Sequence, residues 1–151
     1  MKIVIIGGRG NGTVLRSVIL DCRSEVKGLE FLGFLSDTKL DGELEAERLG
    51  PISAGAITSF NEEVKFLFAL HTVKKSEQRV ALVQSLGVPT SRLATVVHPT
   101  AWVASTAQIS PGCVVMPLAS LGPDASLGVN TQMYSQSFVG HDTSVGSHVF
   151  I

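Results

Sequence analysis

From Val97 to Ile151 an aliphatic residue or Met returns at every sixth position: Val97, Val103, Ile109, Val115, Leu121, Leu127, Met133, Val139, Val145 and Ile151. No residue is inserted or lost along the way. The fifth place of nearly every hexad is small, from Ala101, Ala107 and Cys113 to Ser137 and Thr143. An aliphatic and a small side chain per six residues fill a narrow shaft, while Gly, Pro, Ser, Asp and Asn at the third and fourth places suit corners facing solvent. Three hexads close one triangular coil, and successive coils are spaced by about 4.8 Å, the strand separation of a sheet. The nine complete hexads therefore predict three coils of a parallel β-helix, because an antiparallel sandwich would not hold a fixed six-residue step.

The first part of the chain follows other periods. KIVII at Lys2–Ile6 is a β-branched run that stops at glycines, as a buried parallel strand does. GGRGNGTVLRSVILDC then reads as a glycine turn and a helix, with Val14, Leu15, Val18 and Ile19 on its apolar face. Further strands are predicted at Leu29–Asp37 and Val64–Leu70. A helix at about Lys75–Leu86 would bury Val80, Leu82, Val83 and Leu86 and end at Gly87 and Pro89. Strands alternating with helices imply a parallel sheet, hence a small Rossmann-like α/β unit.

Charge sharpens this division. All 12 Lys and Arg lie at or before Arg92, and Leu93–Ile151 holds only Asp124 and Asp142 as formal charges. The expected organisation is α/β plus all-β: a Rossmann-like domain at 1–92 and a β-helix domain at 93–151. A net charge of −1 gives no electrostatic ground for nucleic acid or an anionic membrane surface. No apolar run reaches the length of a membrane span or has the form of a secretory leader. Cys22 and Cys113 have no metal or redox spacing, which fits a reducing compartment and a cytoplasmic protein without a metal.

Two places carry candidate chemistry. The glycine turn after the first strand would present unpaired backbone N–H groups and a positive helix end to a phosphate. It does not complete the dinucleotide pattern, since Gly8 and Gly10 are followed by Thr13 where a third glycine would stand. Asp37 ends the second strand, where such folds hydrogen-bond a ribose or base, and it could equally cap a turn before Thr38. His71 follows the third strand and is a weaker candidate for substrate contact. The other place is SFVGHDTSVG, Ser137–Gly146, in which His141 and Asp142 take the third and fourth places of their hexad and so project at a corner. A His titrating near neutrality beside a carboxylate suits general-base work, although a polar corner residue would read alike.

The hexads resemble those of the left-handed parallel β-helix acyltransferases. The whole chain is similar to one branch, the nucleotide-sugar acyltransferases that include sialic acid O-acetyltransferases and N-acetyltransferases acting on UDP-4-amino-sugars in bacillosamine and perosamine pathways. KIVIIGGRGNG, LGFLSD, VVHPTA, VVMP and SFVGHD carry the likeness. It implies an acetyl-CoA-dependent acetyltransferase, with a nucleotide-linked or acidic sugar as acceptor, working as a homotrimer with the catalytic cleft between two subunits. By the same resemblance His141 is the general base and Asp142 orients it and raises its basicity. Arg9, Gly10 and Asn11, with Ser36 and Asp37, match the positions that hold the nucleotide-sugar. His98 recurs at the entry to the helix and is read as structural, His148 as a surface residue, and the inward Cys113 as a poor nucleophile. Arg9, Asn11, Ser36 and Tyr134 depart from residues frequent in the branch, which bears on which nucleotide and sugar are bound and leaves amine and hydroxyl acceptors both open.

The family continues for further coils beyond the hexad at which this sequence stops, and no Lys or Arg of Leu93–Ile151 could meet CoA phosphates. The expectation is a truncated chain that binds acetyl-CoA poorly, which micromolar affinity in calorimetry would refute. The alternative function is a non-catalytic nucleotide-sugar binding or assembly module. A β-helix carbonic anhydrase is disfavoured by the spacing of His98, His141 and His148, and a sugar nucleotidyltransferase by the lack of an Arg and Pro-Lys signature after Gly12.

Overall fold

The computed structural model of the chain describes residues 1–70 and 75–151, which form two compact units, Met1–Arg92 and Leu93–Ile151. His71 lies outside the described residues. In the first unit, strands β1 (Lys2–Ile6), β2 (Glu30–Leu35), β3 (Arg48–Gly50) and β4 (Val64–Phe68) form one sheet in the order β3-β2-β1-β4, parallel throughout. β1 is central and Ile3–Ile6 are wholly buried, as expected of a strand covered on both faces. Helices α1 (Asn11–Cys22), α2 (Ala54–Thr58) and α3 (Ser76–Ser85) complete the unit.

Several details differ from the sequence reading. α1 buries Gly12, Leu15, Val18, Ile19 and Cys22, whereas Val14 is 37% exposed. The buried stripe runs along the i, i+3, i+4 row through Leu15 and leaves Val14 at its edge. Leu82 of α3 is likewise 40% exposed, and of the four apolar positions only Leu86, just past the helix, is buried. β3 and α2 escaped notice because they are too short to show a period. RLG has one apolar residue, which is exposed, and AGAIT spans little more than a turn, capped by the Ser53 hydroxyl accepting from the Ala56 N–H at 3.0 Å. β2 is bulged where Gly33 faces Val4, and only glycine fits there. Its φ is 148°, and a Cβ would stand 2.3 Å from the Glu47 carbonyl oxygen.

Two arginines fasten this unit. Arg16 of α1 donates through Nε and Nη2 to the two carboxylate oxygens of Glu47 at 2.6 and 2.5 Å, the bidentate geometry that makes Arg more than a point charge. Arg92 is buried, donates to the carbonyls of Phe60, Asn61 and Val64, and lies over the Phe66 ring at 4.9 Å.

The second unit is a stack of two-residue strands: β5 (Val96–Val97), β6 (Trp102–Val103), β7 (Gln108–Ile109), β8 (Val114–Val115), β9 (Ser120–Leu121), β10 (Ser126–Leu127), β11 (Gln132–Met133), β12 (Phe138–Val139) and β13 (Ser144–Val145). They pair in three parallel sheets, β5-β8-β11, β6-β9-β12 and β7-β10-β13, each strand meeting the one three hexads away. Repeated short parallel strands of this kind fit the left-handed β-helix expected from the hexads. The shaft is filled by Cys113, Val115, Ala119, Leu121, Ala125, Leu127, Met133 and Val139. Val97 is the exception among first positions, being 37% exposed.

The corners explain the polar places of the repeat. Leu118, Asp124, Asn130, Gln136, Asp142 and His148, all fourth in their hexads, have φ between 57° and 65°. Asn and Asp accept that left-handed conformation more readily than most residues. The N–H groups of Asn130, Gln136 and Asp142 donate to Pro111, Pro117 and Pro123 carbonyls one coil away, while those of Leu118 and Asp124 donate to the hydroxyls of Thr100 and Thr106. Not every corner faces solvent. Asn130 is 1% exposed and its Nδ2 donates to Nδ1 of the half-buried His148 at 3.0 Å, so His148 is not the surface residue the sequence suggested.

Candidate functional site

The corner that follows β12 holds Gly140, His141 and Asp142. Asp142 adopts φ 57° with its N–H fixed to the Pro123 carbonyl at 3.0 Å, and the tight turn brings its carboxylate to the neighbouring imidazole. His141 Nδ1 and Asp142 Oδ2 are 2.6 Å apart. A carboxylate can only accept, so Nδ1 carries the proton and the neutral ring keeps its lone pair on Nε2. Both side chains are open to solvent, at 79% and 73% exposure. In water such a pair contributes little to stability. What it supplies is a fixed tautomer at an accessible point, as a proton acceptor requires.

His98, at the entry to the helix, is bonded within its own corner. His98 Nδ1 accepts from the Thr100 N–H at 3.2 Å and lies 2.8 Å from the Thr100 hydroxyl, which itself accepts from Leu118 N–H. Cys113 is fully buried in the shaft with its Sγ 3.0 Å from the Gly128 carbonyl, and burial pushes its thiol pKa up. The thiolate is the nucleophile, so this cysteine is inert. Cys22 is buried too, and burial again raises its pKa. Iodoacetamide at mildly alkaline pH is therefore expected to leave both cysteines of the native protein unmodified by mass spectrometry. Alkylation of Cys113 as fast as in urea would show that the coils open.

Within the first unit, Gly7, Gly8, Arg9, Ser36, Asp37, Thr38, Ile52, Ala69 and Leu70 line an open cavity of about 270 Å³ beside the ends of β1, β2 and β4. Its floor needs glycine for packing. Gly7 has φ 110°, and a Cβ on Gly8 would stand 2.4 Å from the Leu40 side chain and 2.8 Å from the Ser36 hydroxyl. Asp37 Oδ1 accepts from the Ile52 N–H at 2.8 Å. The buried Ser36 hydroxyl donates to the Thr38 carbonyl at 2.9 Å, so it serves its own turn. Arg9 reaches away to Asp41 at 2.7 Å, both side chains being exposed.

Of the sequence candidates, Arg9, Ser36 and Asp37 thus share this cavity. Gly10 and Asn11 are not among its lining residues. Gly10 precedes α1 with φ 68°, and nothing stands within 4 Å of where a Cβ would lie. Asn11 is the first residue of α1. Thr38, Ile52, Ala69 and Leu70 were missed. Only Ala69 and Leu70 had a signal, as the residues ending a strand next to the glycine turn's own strand. Among the described residues there is no cluster of three or more His, Cys, Asp or Glu able to hold a metal ion, and no helix is long and apolar enough to cross a membrane.

No protein-family model matches the chain, and no curated protein matches it. Solved structures do. The acetyltransferase domain of PglB from Neisseria gonorrhoeae FA1090, in complex with acetyl coenzyme A, matches with a TM-score of 0.77 at 22% identity, over 99% of this chain and 69% of that one. GDP-perosamine N-acetyltransferase from Caulobacter crescentus, a variant with a histidine replaced by alanine, in complex with CoA and GDP-perosamine, matches with a TM-score of 0.74 at 18% identity. That match covers 97% of this chain and 66% of the other, so the chain spans just under two thirds of the perosamine enzyme's length. Over nearly its whole length the chain therefore has the fold of acetyltransferases that have been solved with acetyl-CoA and with a nucleotide-linked sugar.

Proposed function

We propose that this protein is an acetyl-CoA-dependent acetyltransferase acting on the amine, or failing that a hydroxyl, of a nucleotide-linked sugar. The observation that carries the reading is the exposed His141, held as the Nδ1–H tautomer by Asp142, on a β-helix corner in a fold shared with sugar acetyltransferases. In this scheme His141 Nε2 takes the proton from the acceptor amine as its nitrogen attacks the thioester carbonyl. The C–N bond forms, the C–S bond breaks, and the proton passes to the departing CoA sulfur, so transfer is direct and uses no acyl-enzyme. Asp142 stabilises the imidazolium formed between these steps. The perosamine enzyme's complex with CoA and GDP-perosamine supports an amine acceptor.

The Rossmann-like unit, 1–92, is assigned to the nucleotide. Asp37, with one oxygen occupied by Ile52 N–H, offers the other to a ribose hydroxyl or base N–H. Gly7 and Gly8 of the glycine turn, which line the same cavity, are assigned to the diphosphate, and Arg9 can leave Asp41 for a phosphate. Asp37→Ala is expected to weaken UDP- or GDP-sugar binding at least about tenfold in calorimetry, since it removes a charge-assisted hydrogen bond. Unchanged affinity would place the nucleotide elsewhere. The 93–151 unit is assigned to acyl transfer, with trimerisation through a β-helix face. Trp102 and Phe138, 54% and 67% exposed on the β6-β9-β12 sheet, support such a face. Free buried cysteines accord with the cytoplasm.

The test is release of CoA thiol from acetyl-CoA with a panel of UDP- and GDP-linked amino and hydroxy sugars. Turnover with the amines alone selects N-acetylation. The lack of any Lys or Arg in 93–151 favours a second reading, a nucleotide-sugar binding module. Tight sugar-nucleotide binding with no thiol release from any acceptor would decide for it.

A further inference from the structure

Gly122 sits one coil from His141, with its bare backbone against the peptide of that residue. A Cβ built on Gly122 would lie 2.7 Å from the His141 backbone nitrogen, 2.9 Å from the Gly140 carbonyl carbon and 3.2 Å from the His141 Cα. Those are backbone atoms, which cannot rotate aside. The hexad does not itself demand glycine at this second place, because Ala104, Met116 and Tyr134 occupy it elsewhere. Nor is a special dihedral involved, as Gly122 is not among the glycines with positive φ. What the missing side chain permits is contact between the two coils at this corner. Gly122 N–H donates to the Val139 carbonyl at 2.9 Å, and the next residue, Pro123, accepts the Asp142 N–H at 3.0 Å. The peptide of His141 is thus seated between two anchors that belong to the coil beneath.

We propose that Gly122 is a positioning residue for His141: its bare backbone sets the height of the Gly140–His141 peptide and so the alignment of Nδ1 with the Asp142 carboxylate. The proposal rests on His141 being the base. A side chain at 122 would lift His141 while Asp142 stays tied to Pro123, pulling the hydrogen-bonded pair out of register. The same coil carries a matched control. A Cβ on Gly128 would meet the Gly146 carbonyl carbon and Ser147 nitrogen at 2.6 Å, an equal clash at the next corner, where Ser147 stands in the place of His141 and His148 is bonded to Asn130.

The experiment compares Gly122→Ala with Gly128→Ala in the full chain. Thermal unfolding should show similar losses for both. In thiol-release kinetics Gly122→Ala is expected to lower kcat about ten- to a hundredfold with KM nearly unchanged, the scale for a misplaced catalytic group. Gly128→Ala should leave kcat close to wild type. Nitrogen-15 NMR of the His141 ring should show the Nδ1–H signal of a carboxylate-bonded imidazole in wild type and Gly128→Ala, displaced in Gly122→Ala. Equal effects of the two substitutions on kcat and on the His141 ring would overturn the proposal. In Gly140→Ala the added Cβ makes only ordinary contacts, with the Phe138 ring at 3.6 Å, so this variant is expected to fold even if Gly122→Ala does not. It is expected to leave the ring signal in place, and a displacement there would put control in the local turn and sink the coil-spacing idea. Should wild type fail to turn over, or His141→Ala match it, the base assignment falls, and the NMR comparison alone then decides whether Gly122 seats His141.

Discussion

Replacing His141 by Ala is expected to lower kcat for acetyl transfer by about 10²- to 10⁴-fold, the usual contribution of a positioned general base. KM for the sugar nucleotide should barely move, because the nucleotide is assigned to the other unit and a loss made only in the transition state appears in kcat. The fold should be unaffected, since a side chain 79% exposed contributes little packing. Asp142→Asn keeps a hydrogen-bond acceptor near Nδ1 but removes the charge that stabilises the imidazolium, so its loss should be smaller than that of His141→Ala. Steady-state thiol release with the best acceptor of the panel measures both. A loss below about tenfold for His141→Ala would mean that solvent or another group accepts the proton.

The largest effect on stability is expected in the shaft. Leu121 is fully buried among Val115, Ala119, Ala125, Leu127, Met133 and Val139, and Leu121→Ala should cost about 2–5 kcal/mol. The spread in that range reflects how far a cavity can collapse. Here collapse is hindered, because each coil's height is set by hydrogen bonds to the coils on either side, such as Ala104 N–H to Leu121 O and Gly122 N–H to Val139 O, both at 2.9 Å. The cost should therefore lie in the upper part of the range. The single Trp of the chain, Trp102, belongs to this unit, so its fluorescence follows the β-helix through a denaturant titration. Val145→Ala, in the same role but only partly buried, should cost distinctly less. Equal midpoints for the two variants would show that the shaft is not where the stability resides.

The repeat was legible in the sequence because a β-helix is a local device. Its strands, corners and inward positions recur at a fixed step, so each can be placed by counting from Val97, and His141 and Asp142 fall at a corner by the same count. The first strand and first helix were legible for a similar reason, since KIVII and the Leu15, Val18, Ile19 stripe carry their own period. Periodicity does not say how wide a neighbour's cover is. Val14 and Leu82 were placed inside and lie partly in solvent, and Asn130, a corner residue by register, is buried against His148.

The candidate cavity shows the same boundary between local and long-range information. Asp37 was readable from its position at the end of a strand and Arg9 from the family resemblance, but Ile52, whose N–H holds Asp37, lies fifteen residues further on at the exit of a strand too short to leave a period. Arg9's ion pair with Asp41 and Arg16's with Glu47 join segments that no spacing rule relates. Gly122 is the sharpest case. In the sequence it is one more glycine after an aliphatic residue, and only the stacking of coils sets it where an added Cβ would stand 2.7 Å from the His141 nitrogen. By itself the sequence determined the six-residue step, the identity of the corner pair and the alternation of strand and helix, since each is encoded between residues a few positions apart. The tertiary structure alone decided which apolar side chains are covered, which carbonyl or amide holds each candidate side chain, and how closely one coil may approach the next, because those depend on atoms that only folding brings together.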